Sequence, residues 1–431
     1  MTAEIAIINR SGIALAADSA VTINNRRVYK TSNKIFSLGP DHDIAIMIYG
    51  NSNFLGAPWE AIIKEFKRTH SDAKFETVSD CTNAFFNYLT YARSACRNEK
   101  RRSLLSLIVE MAETIADEVN KKESAANRRK AFYDICSAII EGNSIQSDKV
   151  FYISRNSHKK YIESHCNDVL DSIFKDELSM TIVNKMRKSF AESVINTIES
   201  AHFLSKYMSG VVFSGYGKKQ ILPSLIHTFV DGHFLSYTRF WISTHKDLNK
   251  AERNNGSSQK SSIFSFAQND VSSLFIEGVL PDLEKAFMQV HQAANRVLID
   301  DLISTWVPQG QQAVERAIQR KAERKSAHHV RAEMERLKND FQVRPTLDLV
   351  STLPKEDMCK MAESMVGITS LKRKIESHVE TVSGPIDVCF ISKADGVIWI
   401  KRKNYFDLRY NSDYLERKFS RSSTVSGDDD V

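Results

Sequence analysis

Apolar residues alternate with their neighbours over the first fifty positions. Ile5 and Ile7, then Ile13, Leu15 and Ala17, then Ile44, Ile46 and Ile48 fall two apart, the period of strands that pack one face on a core. Asn9-Arg10-Ser11-Gly12 predicts a turn between the first two strands, and Gly39-Pro40-Asp41 another before the third. From Trp59 the period lengthens to about 3.6, because Trp59, Ile62, Ile63 and Phe66 share one helical face. Leu104, Ile108, Met111 and Ile115 make a second apolar stripe. Met186, Phe190, Val194 and Ile198 make a third, with polar connectors such as Gly142-Asn143-Ser144 between helices. Stripes of this kind are core faces, not cofactor boxes.

Strand signals return at Val211-Val212-Phe213 and from Phe229 to Trp241, interrupted by Ser214-Gly215-Tyr216-Gly217 and by an Asp231-Gly232 turn. The polar stretch Asn254-Asn255-Gly256-Ser257-Ser258 reads as a mobile loop. Pro281 suits the first turn of a helix. Leu283, Phe287, Val290, Ala294 and Val297 continue that helix on one face, which is expected to pack on the sheet. Gln311 to Asp340 is dense in Arg, Lys and Glu, so a helix there projects into solvent or leans on a partner. A helix from Lys355 to Val379 and a hairpin from Asp387 to Phe406, turning at Ala394-Asp395-Gly396, complete the ordered chain. The tail from about Arg421 is expected to be disordered.

With 431 residues, 42% hydrophobic and 26% charged, the composition is that of a globular protein with ample core. No run approaches the roughly 18 apolar residues of a membrane helix, and Met-Thr-Ala-Glu lacks a basic or apolar leader, so a cytoplasmic protein with no membrane partner is expected. The six cysteines show no C-x-x-C pair, which argues against a disulfide framework or a zinc site. His328-His329 has no acidic or cysteine companions at ligand spacing, so no metal is expected. A net charge of +6 is a solvated mixed-charge surface before it is a nucleic-acid site. No nucleotide-binding glycine motif is present, and no cofactor is expected.

Thr2 carries the candidate chemistry. Methionine aminopeptidases remove Met before a residue as small as Thr, which leaves a hydroxyl beside a free α-amine. Such an amine titrates near pH 7.7 to 8.0, so a substantial neutral fraction can take the hydroxyl proton, unlike a lysine at about 10.4. One residue then supplies nucleophile and base.

Counted from Thr2, Asp18 is seventeenth and Lys34 thirty-third. With Gly12-Ile13-Ala14-Leu15-Ala16-Ala17-Asp18-Ser19 and Asn33-Lys34-Ile35-Phe36, that register resembles the proteasome β-subunits and HslV-like N-terminal nucleophile (Ntn) hydrolases. The chain looks like a bacterial-type divergent member with long helical insertions. The resemblance implies an α+β fold, a four-layer αββα sandwich, and hydrolysis of peptide amide bonds through a threonine ester. It implies Lys34 beside the threonine hydroxyl, Asp18 pairing with Lys34, and Gly50 of Ile48-Tyr49-Gly50 giving the oxyanion hole. Ser214 of Ser214-Gly215-Tyr216-Gly217, and Ser383 of Glu380-Thr381-Val382-Ser383-Gly384, are implied to hold the amine and its water. Glu380 stands where the family has an aspartate. A peptide or protein substrate, a homo-oligomer and a separate ATP-dependent unfoldase are the partners implied.

The expected organisation is core at 1–54, 209–306 and 355–408, a helical insertion at 55–208, a charged helical insertion at 307–354, and a tail at 409–431. Two rivals stay open at this point: an amidohydrolase of a small non-peptide amide, and an inactive scaffold of the same fold.

Overall fold

The computed structural model describes residues 3–23, 27–29, 32–91, 97–145, 153, 155–177, 180–201, 205, 208–234, 237–250, 260–267, 270–308, 312–376 and 384–403. Strands β1 (Ala3–Asn9) and β2 (Gly12–Ala17) form the first hairpin. Asn9 closes it by accepting the Ser11 N–H at 2.8 Å, while its amide donates to the Val350 and Leu353 carbonyls. A small hairpin follows, β3 (Val21–Ile23) with β4 (Arg27–Tyr29). Then come β5 (Ile35–Ser37), β6 (Ile44–Gly50) and the ribbon β7 (Asn53–Phe54) with β8 (Ala57–Pro58). The helices α1 (Trp59–Thr69), α2 (Val78–Tyr91), α3 (Arg97–Asn120), α4 (Ala125–Ile145), α5 (Asn156–Leu170) and α6 (Asn184–Glu199) come next. Strands β9 (Ser209–Gly215), β10 (Ser224–Phe234), β11 (Tyr237–Asp247) and β12 (Ser262–Ala267) lead to α7 (Asp270–Glu277), α8 (Pro281–Trp306), α9 (Gln312–Lys338), α10 (Arg344–Thr352) and α11 (Lys355–Glu376). The hairpin β13 (Asp387–Ser392) and β14 (Gly396–Lys401) follows.

The chain is α+β, with two five-stranded antiparallel sheets ordered β12-β1-β2-β13-β14 and β11-β10-β9-β6-β5. Side chains of a strand point alternately to opposite faces. On β1, Ala6 and Ile8 join Met47, Tyr49 and Val212 in an apolar cluster shared by both sheets, whereas Ala3, Ile5 and Ile7 pack under Met358, Ala362 and Val366 of α11. Ile46 and Ile48 of β6 pack on the far side of the second sheet, against Ile62 and Phe66 of α1 and Phe85 of α2. One packed face per strand was therefore too few. β1 and β2 are buried throughout, because sheet lies on one side and helix on the other.

Helices α3 to α6 bury a separate cluster around Ile108, Phe132, Phe174 and Phe190. The boundary expected at 55 falls before α1 and α2, whose apolar faces belong to the second sheet's own core. Arg239 of β11 joins this helical unit to the sheet. Fully buried, it pairs with Asp231 and donates to the carbonyls of Thr197, Ile198 and Ser200 at 3.3, 3.1 and 2.6 Å, the end of α6. Carbonyls of a last helical turn lack intrahelical partners, and a cation there also suits the helix dipole.

Three local expectations are corrected. Helix α4 runs through Gly142-Asn143-Ser144, so these residues are not a connector. Asp231-Gly232 is a bulge within β10, where the register against β11 shifts between Val230 and His233 and Gly232 takes φ +88°. The alternation of Phe229 to Trp241 survives because a bulge bends a strand without ending it. The apolar face of α8 is not on the sheet: Leu283, Phe287, Val290 and Val297 are all more than half exposed, and α8 lies along α9 through Asn295–Ser326 and Arg296–Glu323. The 254–258 loop and the tail from 421 lie outside the described residues.

Candidate active site

The first hairpin folds the start of β1 back beside the end of β2. Ala3 N–H donates to Asp18 Oδ1 at 3.0 Å, Asp18 N–H donates to Ala3 O at 3.2 Å, and Ala20 N–H donates to Asp18 Oδ2 at 3.1 Å. Asp18 is thus a buried carboxylate held by backbone donors. Lys34 precedes β5, and its carbonyl accepts the Ile48 N–H at 2.9 Å, which fixes it against β6. Its Nζ lies 2.6 Å from Asp18 Oδ1 and 3.4 Å from Glu4 Oε1. The structure brings Asp18 and Lys34 together, and adds Glu4, which the sequence reading missed. All three are buried. Glu4 could have been noticed as the one charge in a strand otherwise made of Ala, Ile and Asn, in phase with Ala6 and Ile8.

Gly50 ends β6 two residues beyond the Lys34–Ile48 bond, exposed and at φ +83°. A Cβ there would lie 2.6 Å from Met208 O, so the left-handed turn and the close backbone both require glycine. Ser214 is placed elsewhere. It pairs with Ala45 and Leu225, whereas Gly50 pairs with Ser209. Five residues of strand separate the two levels, about 17 Å. The cause is direction: β9 runs antiparallel to β6, so the end of β9 faces the start of β6. The serine opposite Gly50 is Ser209, whose Oγ donates to Asn51 O at 3.1 Å and accepts from Trp59 Nε1 at 3.0 Å. That link ties the Gly50 turn to the first residue of α1.

Thr2, Glu380 and Ser383 lie outside the described residues. The described residues that follow them in the chain are close to the site. Ala3 touches Asp18, and Pro385 O accepts a 2.5 Å bond from Ser19 Oγ. Asp387, also missed, lies across β2 from Glu4, since both pair with Ala17, and it forms an ion pair with Lys403.

Tyr49 and His227 add a further buried polar pair between the sheets, with Tyr49 Oη 2.7 Å from His227 Nε2. Burial, and after it the charge of Glu4, pushes the Tyr49 hydroxyl well above its usual range. Burial holds His227 down at about 4, so its ring is neutral at ordinary pH. Among the described residues no group of three or more His, Cys, Asp or Glu is placed to hold a metal ion, and no helix is long and apolar enough to cross a membrane.

No protein-family profile and no curated protein matches the chain. Among the solved structures similar to it are Anbu proteins. Anbu (ancestral beta-subunit) from Yersinia bercovieri aligns over 99% of this chain and 98% of its own, with 8% identity and a TM-score of 0.27. Anbu from Hyphomicrobium sp. strain MC1 aligns over the whole of both chains with 8% identity and a TM-score of 0.28, and its Gly-1 mutant does so with 9% and 0.28. This overturns the family drawn from the sequence: the similar structures are Anbu proteins, proteasome-related but distinct, and not HslV-like hydrolases or proteasome β-subunits proper. At these TM-scores and identities the similarity carries no argument about activity. Local sequence misled because the register from Thr2 to Lys34 is short, while the compact families lack the long helical stretches that fill this chain.

Proposed function

We propose that the chain is a threonine-type hydrolase of peptide amide bonds, built as a four-layer αββα sandwich, with Thr2 as nucleophile once the residue before it is removed. The observation that carries this reading is the buried Asp18–Lys34 pair. It is fastened by the Ala3 N–H, the nitrogen that joins Ala3 to Thr2. A fixed ammonium next to a hydroxyl favours its ionised form, and Asp18 uses one of the three hydrogen bonds that Lys34 can donate. The sandwich is supported by the cluster the two sheets share and by the helices that cover each outer face.

In this reading the Thr2 amine takes the hydroxyl proton as Oγ1 attacks the substrate carbonyl carbon. The oxyanion develops beside the Gly50 turn, where one backbone N–H can contribute about 3 kcal/mol. Collapse breaks the C–N bond, and the amine returns its proton to the leaving nitrogen. Water then attacks the threonine ester and gives its proton to the same amine; collapse breaks the acyl C–Oγ1 bond, the amine returns the proton to Oγ1, and the acid is released. Glu380 and Ser383 are assigned to orient the amine, since Pro385, two residues after Ser383 in the chain, accepts a hydrogen bond from Ser19. Ser214 has no part, being at the other end of β9.

Labelling with an epoxyketone or β-lactone, followed by mapping of the adduct, tests the assignment. An adduct on Thr2 in a chain that begins with Thr2 is expected. An adduct elsewhere, or a mature chain still carrying Met1, sinks the reading.

A further inference from the structure

Helices that lie side by side usually meet through their apolar faces. In the α8–α9 pair Leu283, Phe287, Val290 and Val297 are instead turned outwards, and a cavity of about 720 Å³ lies between the helices, lined mainly by polar side chains. α8 contributes Gln292, Asn295 and Arg296 to it, and α9 contributes Arg324, His328 and Arg331. Each set has the spacing of a single helical face, so both helices turn these residues towards the same space. The carboxylates of Asp300 and Glu323 line it too, and Glu323 is matched by Arg296 at 3.9 Å.

Three guanidinium groups thus converge on one cavity from two helices. Arg336, further along α9, is held by Glu333 and Asp340, whereas Arg324 and Arg331 face the cavity. A guanidinium presents five N–H donors as a planar fork that matches phosphate oxygens in pairs. Arg324 and Arg331 stand seven residues apart, about 10 Å along the helix, a span that suits two linked phosphates better than one. The cavity has the volume of a small-molecule site. We propose that the space between α8 and α9 binds a small molecule carrying two linked phosphates, held by Arg296, Arg324 and Arg331. This site is made by different elements from the Asp18–Lys34 pair and does not depend on Thr2 being a nucleophile.

The test is calorimetric titration of the full chain with inorganic pyrophosphate at physiological ionic strength, where attraction between distant exposed charges is largely screened. Saturable binding of one pyrophosphate per chain is expected. Arg324→Gln and Arg331→Gln are each expected to weaken it about tenfold or more, the loss of one charged hydrogen-bonding partner. Arg336→Gln removes the same charge from the same helix but not from the cavity, and is expected to leave the affinity unchanged. All three side chains are exposed, so the variants should fold, and their melting temperatures without pyrophosphate check this. No saturable binding at millimolar pyrophosphate overturns the site. So does an affinity that survives both Arg324→Gln and Arg331→Gln, or one that falls as far in Arg336→Gln as in Arg324→Gln, which is the behaviour of a diffuse positive surface.

Discussion

Two of the buried ion clusters among the described residues are built differently. At Arg239 a single guanidinium meets one carboxylate and three carbonyls from the end of α6, and Asp231 also accepts from the Ser205 N–H and hydroxyl. The acceptors are helix-end carbonyls that need a donor, and the effect is to fasten the helical unit to β10 and β11. At Lys34 the ammonium meets the carboxylates of Asp18 and Glu4, and the cluster lies one residue from the described start of the chain, on the side of Gly50. The first cluster closes a helix end and the second adjoins the residue that follows Thr2 in the chain, and that contrast is why the second is the one proposed as functional.

The contrast breaks most decisively at Lys34 and Arg239. Lys34→Met is expected to slow β-lactone labelling at Thr2 by a factor on the order of 1000, about the effect of losing one transition-state charge partner. Arg239→Met is expected to remove about 3 to 5 kcal/mol of stability, because Asp231 stays buried without its cation. The molecules of Arg239→Met that remain folded should be labelled at close to the wild-type rate. Chemical denaturation and labelling kinetics on the same two variants read both effects. Equal labelling rates in the two would make Lys34 one more structural ion pair.

Much of this was legible in the sequence where a local period or a local turn decides the structure. Trp59, Ile62, Ile63 and Phe66 are the buried residues of α1, and the Asp18 to Lys34 register brings those two side chains into contact. Ser214 was misplaced because its position depends on the direction in which β9 pairs with β6, which no local pattern encodes. Glu4 was missed because a lone charge in a strand reads as a solvent-facing residue until both faces of that strand are known to be covered. The α8 stripe failed for the opposite reason: helical period specifies an apolar face but not what lies against it.

Acid provides the next comparison. His227 is held at about 4 by burial, while in the unfolded chain an imidazole takes up its proton near 6.5. Between those values the unfolded state binds more protons, so stability falls as pH drops from 6.5 towards 4, and this group adds no further loss below that. The full loss is about 3 kcal/mol. His227→Gln, which can still hydrogen-bond the Tyr49 hydroxyl, should flatten that part of a stability profile measured by denaturation from pH 7 to 4. An unchanged slope would mean that the ring is already open to protons in the folded chain.

Two glycines sharpen the contrast at the smallest scale. Tyr49 lies across its strand partner Gly210, where an added Cβ would sit 2.0 Å from the ring. Gly210→Ala must displace the ring from His227 and is expected to remove about 1 to 3 kcal/mol, the range of an overpacked core. It should also alter the pH profile of labelling, because Tyr49 feels the charge of Glu4. Gly232, in the bulge beside Asp231, is held at φ +88°, and a Cβ there would meet the Ser103 hydroxyl at 2.3 Å. That hydroxyl can rotate away, so Gly232→Ala carries mainly the backbone strain, about 1 to 2 kcal/mol, and should leave the labelling profile where it was. If both substitutions shift the profile, or neither does, the two clusters are not separate systems.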